Sequence, residues 1–515
     1  MGIKKIFKGI FWVIYVLSLF MLGALLFFGD QVMFLANSLA PVQEEHAAPQ
    51  KLVIAYALPV SSLDPTLFDS VTRSRLVNIY EGLVRTDRNL KIQPAIAVSW
   101  GLLNPTTWEF KLRPHVKFHN GSEVTARDVV ASIDRAQNFE GSQLKPLLNT
   151  VQKVDAIDDL TIHVTTSVPD PLLLNKLAVT YILPVDYTNF DQPEGTGPYQ
   201  MMLWDKGNQM ILKRFTDYWG QKPFYDEVTT KTIRDKDERI QALMDGSVQL
   251  LADVPPAAVK HLVSDKIVTK SIPSLEVSFL MFNTQNGFFK ERAFREAVAE
   301  DLNPQVFVDI AGGYAHSVGQ FVSSGVFGYN PELPITAYNP DDAKKKAGSI
   351  TSQSFERSQT VLNYAFGSEI IAQYVQSQLL DLGIDVDLNP MSPDDFQKKL
   401  NSGTSEFYYL GWRSELGDDY DFLQSVAHSR DVSGRYGQFN GANYMNKKVD
   451  QLIESSDRDL NESSRLKSLQ EAMKILVQDD LAGVPLFETE TIFAYQNTVN
   501  FDPRVDGYIY VSEIK

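Results

Sequence analysis

The feature that most constrains this chain is an apolar run close to its N-terminus. Nineteen residues, 10–28, are interrupted in their apolar character only by Ser18 and Gly23. A helix rises about 1.5 Å per residue, so this run spans roughly 28 Å, the thickness of the hydrocarbon core of a bilayer. We therefore expect a transmembrane helix within residues 1–30, followed by a tether over residues 31–50.

The charged residues around the run indicate how it is oriented. Three lysines precede it, whereas the first charged residue after it is Asp30. Lys and Arg concentrate on the cytoplasmic side of a span, so we expect a single-pass protein of the cell membrane with its later residues outside the cytoplasm, periplasmic or extracellular. A cleaved signal peptide is the alternative, because Ser38 and Ala40 are small residues suited to a cleavage site. Pro41 directly after them disfavours that cleavage.

Length, charge and cysteine content exclude several classes of protein. A chain of 515 residues is too long for one core, so roughly two or three packed units are expected. The formal net charge of −16 argues against a nucleic-acid partner, because phosphate contacts need concentrated Lys and Arg. Without any cysteine, the chain has no disulfides, no thiolate metal sites and no Cys nucleophile.

The region after residue 350 alternates between strand and helix patterns. TVLNYAF at 360–366 and IDVDL at 384–388 are typical of strands. The segment between them has the apolar face of a helix that begins at Ser368 and ends at Gly383. A strand, helix and strand in this order predict two parallel strands of an α/β sheet.

An acidic loop follows the next strand of this region. The strand pattern EFYYLGW covers residues 406–412, and the loop GWRSELGDDYDF at 411–422 carries four carboxylates. In open α/β sheets, ligands bind beyond the carboxyl ends of the strands. The loop therefore has a position typical of a ligand site.

An earlier segment predicts strands followed by a helix. Strand patterns at 108–112 and 116–119 precede an Asn-Gly turn and a helix capped by Thr125. His115 and His119 lie four residues apart, which would place both on one face of a strand. No third ligand lies nearby, so two partly exposed histidines are favoured over a metal site.

The motifs of common enzymes are missing from the sequence. It contains no G-x-x-x-x-G-K-[ST] loop, no G-x-S-x-G elbow and no H-E-x-x-H pair. The glycine-rich GTGPYQ at 195–200 lacks the lysine of a phosphate loop and indicates a rigid turn. Glu415 and Asp418 would serve a glycosidase only if one acid were desolvated and the other solvated, which four acids in one loop do not predict. We expect no catalytic residues.

Several phrases spread over the chain resemble one protein family. In order they are SSLDP (61–65), IYEGLVRTD (79–87), QPAIAVSW (93–100), the segment 108–136, GTGPYQ (195–200), DYWG (217–220), FNT (282–284), FREAV (294–298), YNPDDAKKKA (338–347) and GWRSELGDDYDFL (411–423). Together they resemble the family 5 extracellular solute-binding proteins, the dipeptide, oligopeptide and nickel receptors of ABC importers. Each phrase alone is weak, whereas the ordered set is specific.

The resemblance implies an α/β fold with two lobes, the periplasmic-binding-protein-like fold of type II, cluster C, with an inserted extra domain. The first lobe (domain I) would combine residues 51–82, 196–282 and 482–515, domain II would be inserted at 83–195, and the second lobe (domain III) would cover 283–481. Two chain crossings, near 282–284 and Gly483, would form the hinge on which the lobes close over a ligand.

The resemblance also implies a ligand site at the acidic loop. Glu415 stands where peptide receptors of the family place an acid that pairs with the α-ammonium of the ligand. The usual residue there is Asp, so this chain carries one additional methylene. The complete predicted ligand-binding set is Ser62, Phe282, Asn283, Trp412, Arg413, Ser414, Glu415 and Asp418.

The other residues of this set have more than one expected role. Trp412 would line the pocket or pack beneath the loop. Arg413 would bind a peptide carboxylate or form a salt bridge with Asp418 or Asp421. Backbone groups at 278–284 and in the SSLDP loop would pair with a peptide as an added strand.

The function implied by the resemblance is that of an anchored receptor. It would capture short peptides between two lobes and deliver them to the permease subunits of an ABC importer, as a monomer, without a cofactor and without catalysis. The same fold could instead bind nickel chelates, opines or oligosaccharides. A sensor that signals through the membrane segment is a further alternative, but a cytoplasmic segment of about nine residues leaves no output domain.

Overall fold

The computed structural model describes residues 50–354, 359–431 and 434–515. The predicted transmembrane run at 10–28 lies outside these ranges. Within them, no helix combines the length and the apolar character needed to cross a bilayer. Residues Gln50–Lys515 belong to one unit of the chain, which is the part described below.

The strands of this unit are mostly short, and two are much longer than the others. They are β1 Lys51–Tyr56, β2 Val84–Thr86, β3 Ile92–Pro94, β4 Ala97–Asn104, β5 Thr107–Leu112, β6 Val151–Asp158, β7 Thr161–Thr166, β8 Tyr199–Asp205, β9 Gln209–Arg214, β10 Glu227–Thr232, β11 Leu250–Leu251, β12 Ile267–Phe282, β13 Ala315–Ser317, β14 Gln359–Ala365, β15 Asp385–Met391, β16 Phe407–Arg413 and β17 Gly483–Gln496. The long strands are β12, with 16 residues, and β17, with 14 residues.

Helices connect the strands and cover them. They are α1 Ser70–Leu76, α2 Ala126–Asn138, α3 Leu173–Val179, α4 Lys236–Met244, α5 Pro256–Val259, α6 Arg292–Asp301, α7 Pro304–Ile310, α8 Pro340–Ser354, α9 Glu369–Asp381, α10 Pro393–Ser402, α11 Tyr420–Phe422, α12 Lys447–Ser456 and α13 Glu462–Lys474. Short polar side chains cap the first turns of several of these helices. Thr125 and Asp128 form a capping box at α2, and Ser392 accepts a hydrogen bond from the Asp395 backbone at α10.

Eleven strands of the described residues form one continuous sheet. Their order is β15-β14-β16-β12-β17-β11-β1-β10-β9-β8, and β13 pairs with β17. β14 pairs in parallel with β15, and α9 connects the two strands, which confirms the predicted β-α-β unit. β16 leads directly into the acidic loop, so the loop follows the end of a strand as predicted.

β12 and β17 form a two-stranded ribbon through the middle of this sheet. β11 pairs with β17 at one end of the ribbon, and β16 pairs with β12 at the other. The register of the ribbon shifts between Pro273 and Val277, where Ser274 Oγ lies 2.7 Å from Thr489 Oγ1. The domain boundaries and the hinge near Gly483 stay predictions, and this irregular point lies earlier along β12 than the predicted crossing.

Both edges of the central part of β12 are occupied. Residues 276–282 pair with β16, and residues 277–281 pair with β17. The next backbone N–H group, that of Asn283, donates to the carbonyl oxygen of Glu406. The prediction that 278–284 would accept a peptide as an added strand is therefore wrong, because neighbouring segments already use these backbone groups.

A second sheet has the order β4-β5-β7-β6. Val129 and Ile133 of α2 lie one turn apart and share a buried cluster with Phe110 and Val164 of the strands. The predicted strand at 116–119 is reduced to a single bridge between Lys117 and Glu123. It pairs only with the segment that follows the Asn-Gly turn and does not join the sheet.

His115 and His119 have different surroundings. His115 is exposed, whereas His119 is half-buried against the GTGPYQ turn. Nδ1 of His119 accepts a hydrogen bond from the N–H group of Gly195 at 3.2 Å. Nε2 of the same ring donates to the carbonyl oxygen of Gly197 at 2.9 Å. Desolvation lowers the pKa of His119 to about 4, so the ring is neutral at physiological pH. Its two nitrogens hold the turn in place.

The GTGPYQ turn also packs its backbone against Ile79. A Cβ added at Gly195 would lie 2.0 Å from the carbonyl oxygen of Ile79. We expect Gly195→Ala to lower the free energy of unfolding by about 1–3 kcal/mol in chemical denaturation, because the backbone must shift. Gly101→Ala is the matched control, since its added Cβ meets nothing within 4 Å. Equal stability of the two variants would contradict this packing.

Candidate functional site

A cavity lies where α1, α3, the acidic loop and the C-terminal segment meet. α1 contributes Arg73, α3 contributes Asn175, the loop contributes Glu415, and the C-terminal segment contributes Tyr508. The space free of protein atoms measures about 880 Å³, its open mouth included. The cavity is therefore a partly open cleft lined by side chains from four segments of the chain.

Glu415 reaches the cavity from a tight turn at the end of β16. Gly417 N–H donates to the carbonyl oxygen of Ser414, and Gly417 has a φ of 68°, which glycine adopts without strain. One carboxylate oxygen of Glu415 accepts a hydrogen bond from Arg413 Nε at 2.9 Å. The other accepts one from the hydroxyl of Tyr508 at 3.2 Å. These two bonds hold the carboxylate at the cavity wall.

Arg413 pairs with Glu415 and ties the loop to two other segments. Its guanidinium donates to the backbone oxygens of Ser274 and Asp506, the second at 2.6 Å. The alternative of a salt bridge to an acid farther along the loop is therefore wrong, because the nearer Glu415 takes that place. Arg413 lines the cavity, and its contact with a ligand carboxylate stays a prediction.

Trp412 lies beneath the acidic loop. Its ring centroid lies 6.2 Å from that of Phe422 and 5.7 Å from that of Phe439. Its Nε1 donates to Asp421 Oδ1 at 3.3 Å. Of the two predicted positions for this ring, the structure has the packed one, away from the cavity wall.

Asp418 belongs to a buried ion pair. Its two oxygens accept hydrogen bonds from the guanidinium of Arg465 at 2.6 and 2.8 Å. Both side chains are 5% exposed. The pair fixes the acidic loop to α13, and a ligand contact by Asp418 stays a prediction.

The other four predicted residues lie apart from the cavity. Ser62 Oγ accepts from the backbone of Asp64 within the SSLDP loop. Phe282 is fully buried and stacks on Phe289 with a centroid distance of 4.5 Å. Asn283 Oδ1 caps the turn that follows it, and Ser414 is buried under the loop. Their ligand contacts stay predictions that this cavity does not support.

Glu81 lies at the cavity wall and was missed as a site residue. Its carboxylate accepts hydrogen bonds from Trp219 Nε1 at 2.8 Å, the Tyr218 hydroxyl at 2.9 Å and Thr196 Oγ1 at 3.0 Å. Burial raises the pKa of Glu81 despite these three bonds. The phrases IYEGLVRTD, GTGPYQ and DYWG contain these four residues. All three phrases belong to the set that resembles the family, so the resemblance could have pointed to Glu81.

Six charged side chains border the cavity. They are Arg73, Arg85, Arg413, Glu81, Glu415 and Asp506. Each acid has a partner in the protein, since Asp506 pairs with Arg504 at 2.9 Å, Glu415 pairs with Arg413, and Glu81 has its three donors. Arg73 and Arg85 form no ion pair with any residue that the structure describes. Arg73 and Arg85 are therefore attracted to acids of the cavity without an ion pair, Arg73 to Glu415 and Arg85 to Glu81.

Contacts between α3 and the acidic loop close one side of the cavity. Asn175 Nδ2 donates to the carbonyl oxygen of Leu416 at 2.9 Å. Beside this contact, Leu90 packs closely on Gly417, because a Cβ added at Gly417 would lie 2.8 Å from Cδ1 of Leu90. A larger cleft of about 1570 Å³, its mouth included, continues beyond these contacts and is bordered by Trp108. The loop that carries Glu415 thus separates two spaces.

Asp419 is a fully buried carboxyl without a hydrogen-bond partner among the described side chains and backbone groups. Burial, together with the charge of Asp418, raises the pKa of Asp419 well above its ordinary value, against the effect of Arg465. The native state therefore holds this proton more tightly than the unfolded state. The resulting stability is complete below the unfolded pKa of about 3.9 and is lost as the pH rises through the native pKa.

We expect Asp419→Asn to be more stable than the wild-type chain at neutral pH. The difference in unfolding free energy should shrink by up to about 1.4 kcal/mol per pH unit as the pH falls toward 4. Chemical denaturation at several pH values measures it. Asp387→Asn, at an exposed strand position, is the control for the amide substitution itself and should change the stability at neutral pH by less than about 0.5 kcal/mol. A stability difference that is the same at pH 4 and pH 8 would contradict the burial of a titrating carboxyl.

The chain matches a known protein family over most of its described residues. The family model described as "Bacterial extracellular solute-binding proteins, family 5 Middle" matches residues 91–434. The matched span contains the second sheet, α3 and the acidic loop with Glu415.

Two curated proteins and one solved structure are similar to this chain over more than three quarters of its length. The glutathione-binding protein GsiB of Pectobacterium atrosepticum is 27% identical over 429 residues, 78% of this chain and 82% of that protein. The probable D,D-dipeptide-binding periplasmic protein DdpA of Escherichia coli is 28% identical over 495 residues, 90% of this chain and 93% of that one. The periplasmic binding protein DppA of Helicobacter pylori, solved with the peptide STSA, superposes with a TM-score of 0.73 at 24% identity, covering 89% and 98% of the two chains.

Proposed function

Because this chain belongs to the bacterial extracellular solute-binding proteins of family 5, we propose that it binds short peptides in the cavity at Glu415 and delivers them to the permease of an ABC importer. One observation carries the proposal: the carboxylate of Glu415 stands at the cavity wall, at the position where the resemblance implies an acid for the ligand ammonium. The names of two relatives, a glutathione-binding protein and a probable D,D-dipeptide-binding protein, support a peptide ligand.

Glu415 has the capacity to bind an ammonium group in addition to its protein partners. A carboxylate offers about four acceptor positions, and Arg413 and Tyr508 use two of them. A ligand ammonium that donates to the remaining positions would form charge-assisted hydrogen bonds inside a partly desolvated cavity. The bound ammonium would also be screened less by salt than on an exposed surface.

The proposal includes the setting of the receptor. The binding unit works outside the cytoplasm as a monomer, held to the membrane by the apolar run at 10–28. An anchor keeps receptor and permease in one membrane plane and raises their effective concentration. The receptor closes over its ligand and releases it unchanged, so no residue has a catalytic role.

Thermal unfolding of the purified full-length chain tests the proposal. Pools of di- to pentapeptides with free N-termini are compared with the same pools after N-acetylation. Binding at 100 times Kd stabilises a native state by about 2.7 kcal/mol, so the free pool should raise the unfolding temperature and the acetylated pool should not. No shift with either pool would contradict the peptide assignment and turn the search to nickel chelates, opines and oligosaccharides.

A further inference from the structure

Arg73 is a buried cation that forms no ion pair within the part of the chain that the structure describes. It lies on α1, which is capped by Asp69, whose side chain accepts a hydrogen bond from the Thr72 backbone. Arg73 is 4% exposed, and its guanidinium lies 4.9 Å from the ring centre of Phe68 and 5.4 Å from that of Tyr181. Its one hydrogen bond within the described residues runs from Nη1 to the carbonyl oxygen of Val179, at 3.3 Å.

Other buried arginines of the described residues are satisfied more completely. They are Arg75, Arg239, Arg295, Arg465 and Arg504, and each of them makes at least two hydrogen bonds to the protein. Arg75 is the most direct comparison, because it lies two residues from Arg73 on α1. It donates to the carbonyl oxygens of Val71 and Leu58 and lies 3.3 Å from the ring centre of Tyr56.

A charge in this state is costly unless something pairs with it. Removing a guanidinium from water costs several kcal/mol, which only a counter-charge or several good acceptors can offset. Arg73 borders the cavity, where the charge of Glu415 favours the charged guanidinium without hydrogen-bonding to it, because the Glu415 carboxylate accepts from Arg413 and Tyr508. Its remaining N–H groups therefore suit an acceptor that arrives with the ligand, and a guanidinium matches a carboxylate in two parallel hydrogen bonds.

We propose that Arg73 binds the carboxylate of the ligand, which makes the preferred ligand a short peptide with both termini free. This inference rests on the proposed function, in which Glu415 holds the ammonium. Glu415 and Arg73 then provide one charge for each end of a zwitterion inside one cavity. Tyr181 and Phe68 keep the guanidinium in position by packing against it.

Isothermal titration of the full-length chain with three versions of the di- to tetrapeptide pool tests this assignment. The pools are unmodified, N-acetylated and C-amidated. The wild-type chain should bind the amidated pool about 10- to 100-fold more weakly than the unmodified pool, as expected for the loss of a hydrogen bond between charged groups. Arg73→Met should bind both pools with the same weak affinity, and Arg73→Lys should regain part of the preference.

Arg75→Met is the matched control, since it removes a buried arginine from the same helix without touching the cavity. It should keep the wild-type preference for the free carboxylate. An Arg73→Met chain that still prefers the unmodified pool, with native circular dichroism, would overturn the assignment. A preference lost equally in Arg75→Met would do the same, because it would mark a general effect on α1.

Failure of the peptide assignment has a separate signature. If no pool binds the wild-type chain, opines, nickel–histidine chelates and neutral oligosaccharides are titrated next. A carboxylate-bearing solute whose binding falls at least tenfold in Arg73→Met would support the role of Arg73 without the peptide function. A neutral oligosaccharide that binds the wild type and Arg73→Met equally well would overturn both.

Discussion

Glu415→Gln should weaken the binding of peptides with a free N-terminus about 10- to 100-fold, or about 1.5–3 kcal/mol. The substitution keeps the shape of the side chain and an acceptor for Tyr508 but removes the charge that pairs with an ammonium. The affinity for N-acetylated peptides, already low, should stay unchanged. Isothermal titration of both pools measures the two affinities on the same protein preparation.

Two companion variants separate this effect from damage to the loop. Glu415→Asp restores the residue that the family usually carries and should keep the preference for a free N-terminus. Glu276→Gln changes a half-buried neighbour of Arg413 that does not line the cavity, and it should leave both affinities as they are. An equal loss for free and acetylated peptides in Glu415→Gln would argue against an ammonium contact.

Arg465→Met should have the largest effect on stability. The substitution leaves Asp418 as an uncompensated charge in a place where both partners are 5% exposed. Breaking such a buried pair from one side costs about 3–5 kcal/mol. Chemical denaturation should show a loss of this size, and the double variant Asp418→Leu with Arg465→Met should recover a large part of it.

A surface ion pair provides the control for that prediction. Lys448 and Glu471 lie 2.9 Å apart, but their side chains are largely exposed. Lys448→Met should change the stability by less than about 1 kcal/mol. Similar losses for Lys448→Met and Arg465→Met would mean that burial does not set the cost at Arg465.

Local patterns predicted much of the secondary structure because nearby residues determine it. The apolar face of α9, the cap at Thr125 and the apolar strand pattern of β16 are all encoded within a few positions. The prediction of a free strand edge at 278–284 was wrong for a physical reason. Whether a strand has a free edge depends on β16 and β17, which lie far away in the sequence.

The site was predictable only where the resemblance supplied a position. Glu415 followed from the phrase GWRSELGDDYDFL, and the structure brings it to a cavity. Arg73 could not be singled out, because the sequence of α1 offers two arginines two residues apart. Only the tertiary packing distinguishes them, since Tyr181 and Val179 meet Arg73, whereas Tyr56 and Leu58 meet Arg75.

A crystal structure of the full-length chain with a free-ended tripeptide from the binding pool is the most direct test of the central claim. The peptide ammonium should lie within about 3 Å of a Glu415 carboxylate oxygen, the distance of a charge-assisted hydrogen bond. Density for the peptide should fill the cavity beside Glu415 and Arg73. A peptide bound only in the larger cleft beside Trp108, without contact to Glu415, would contradict the account.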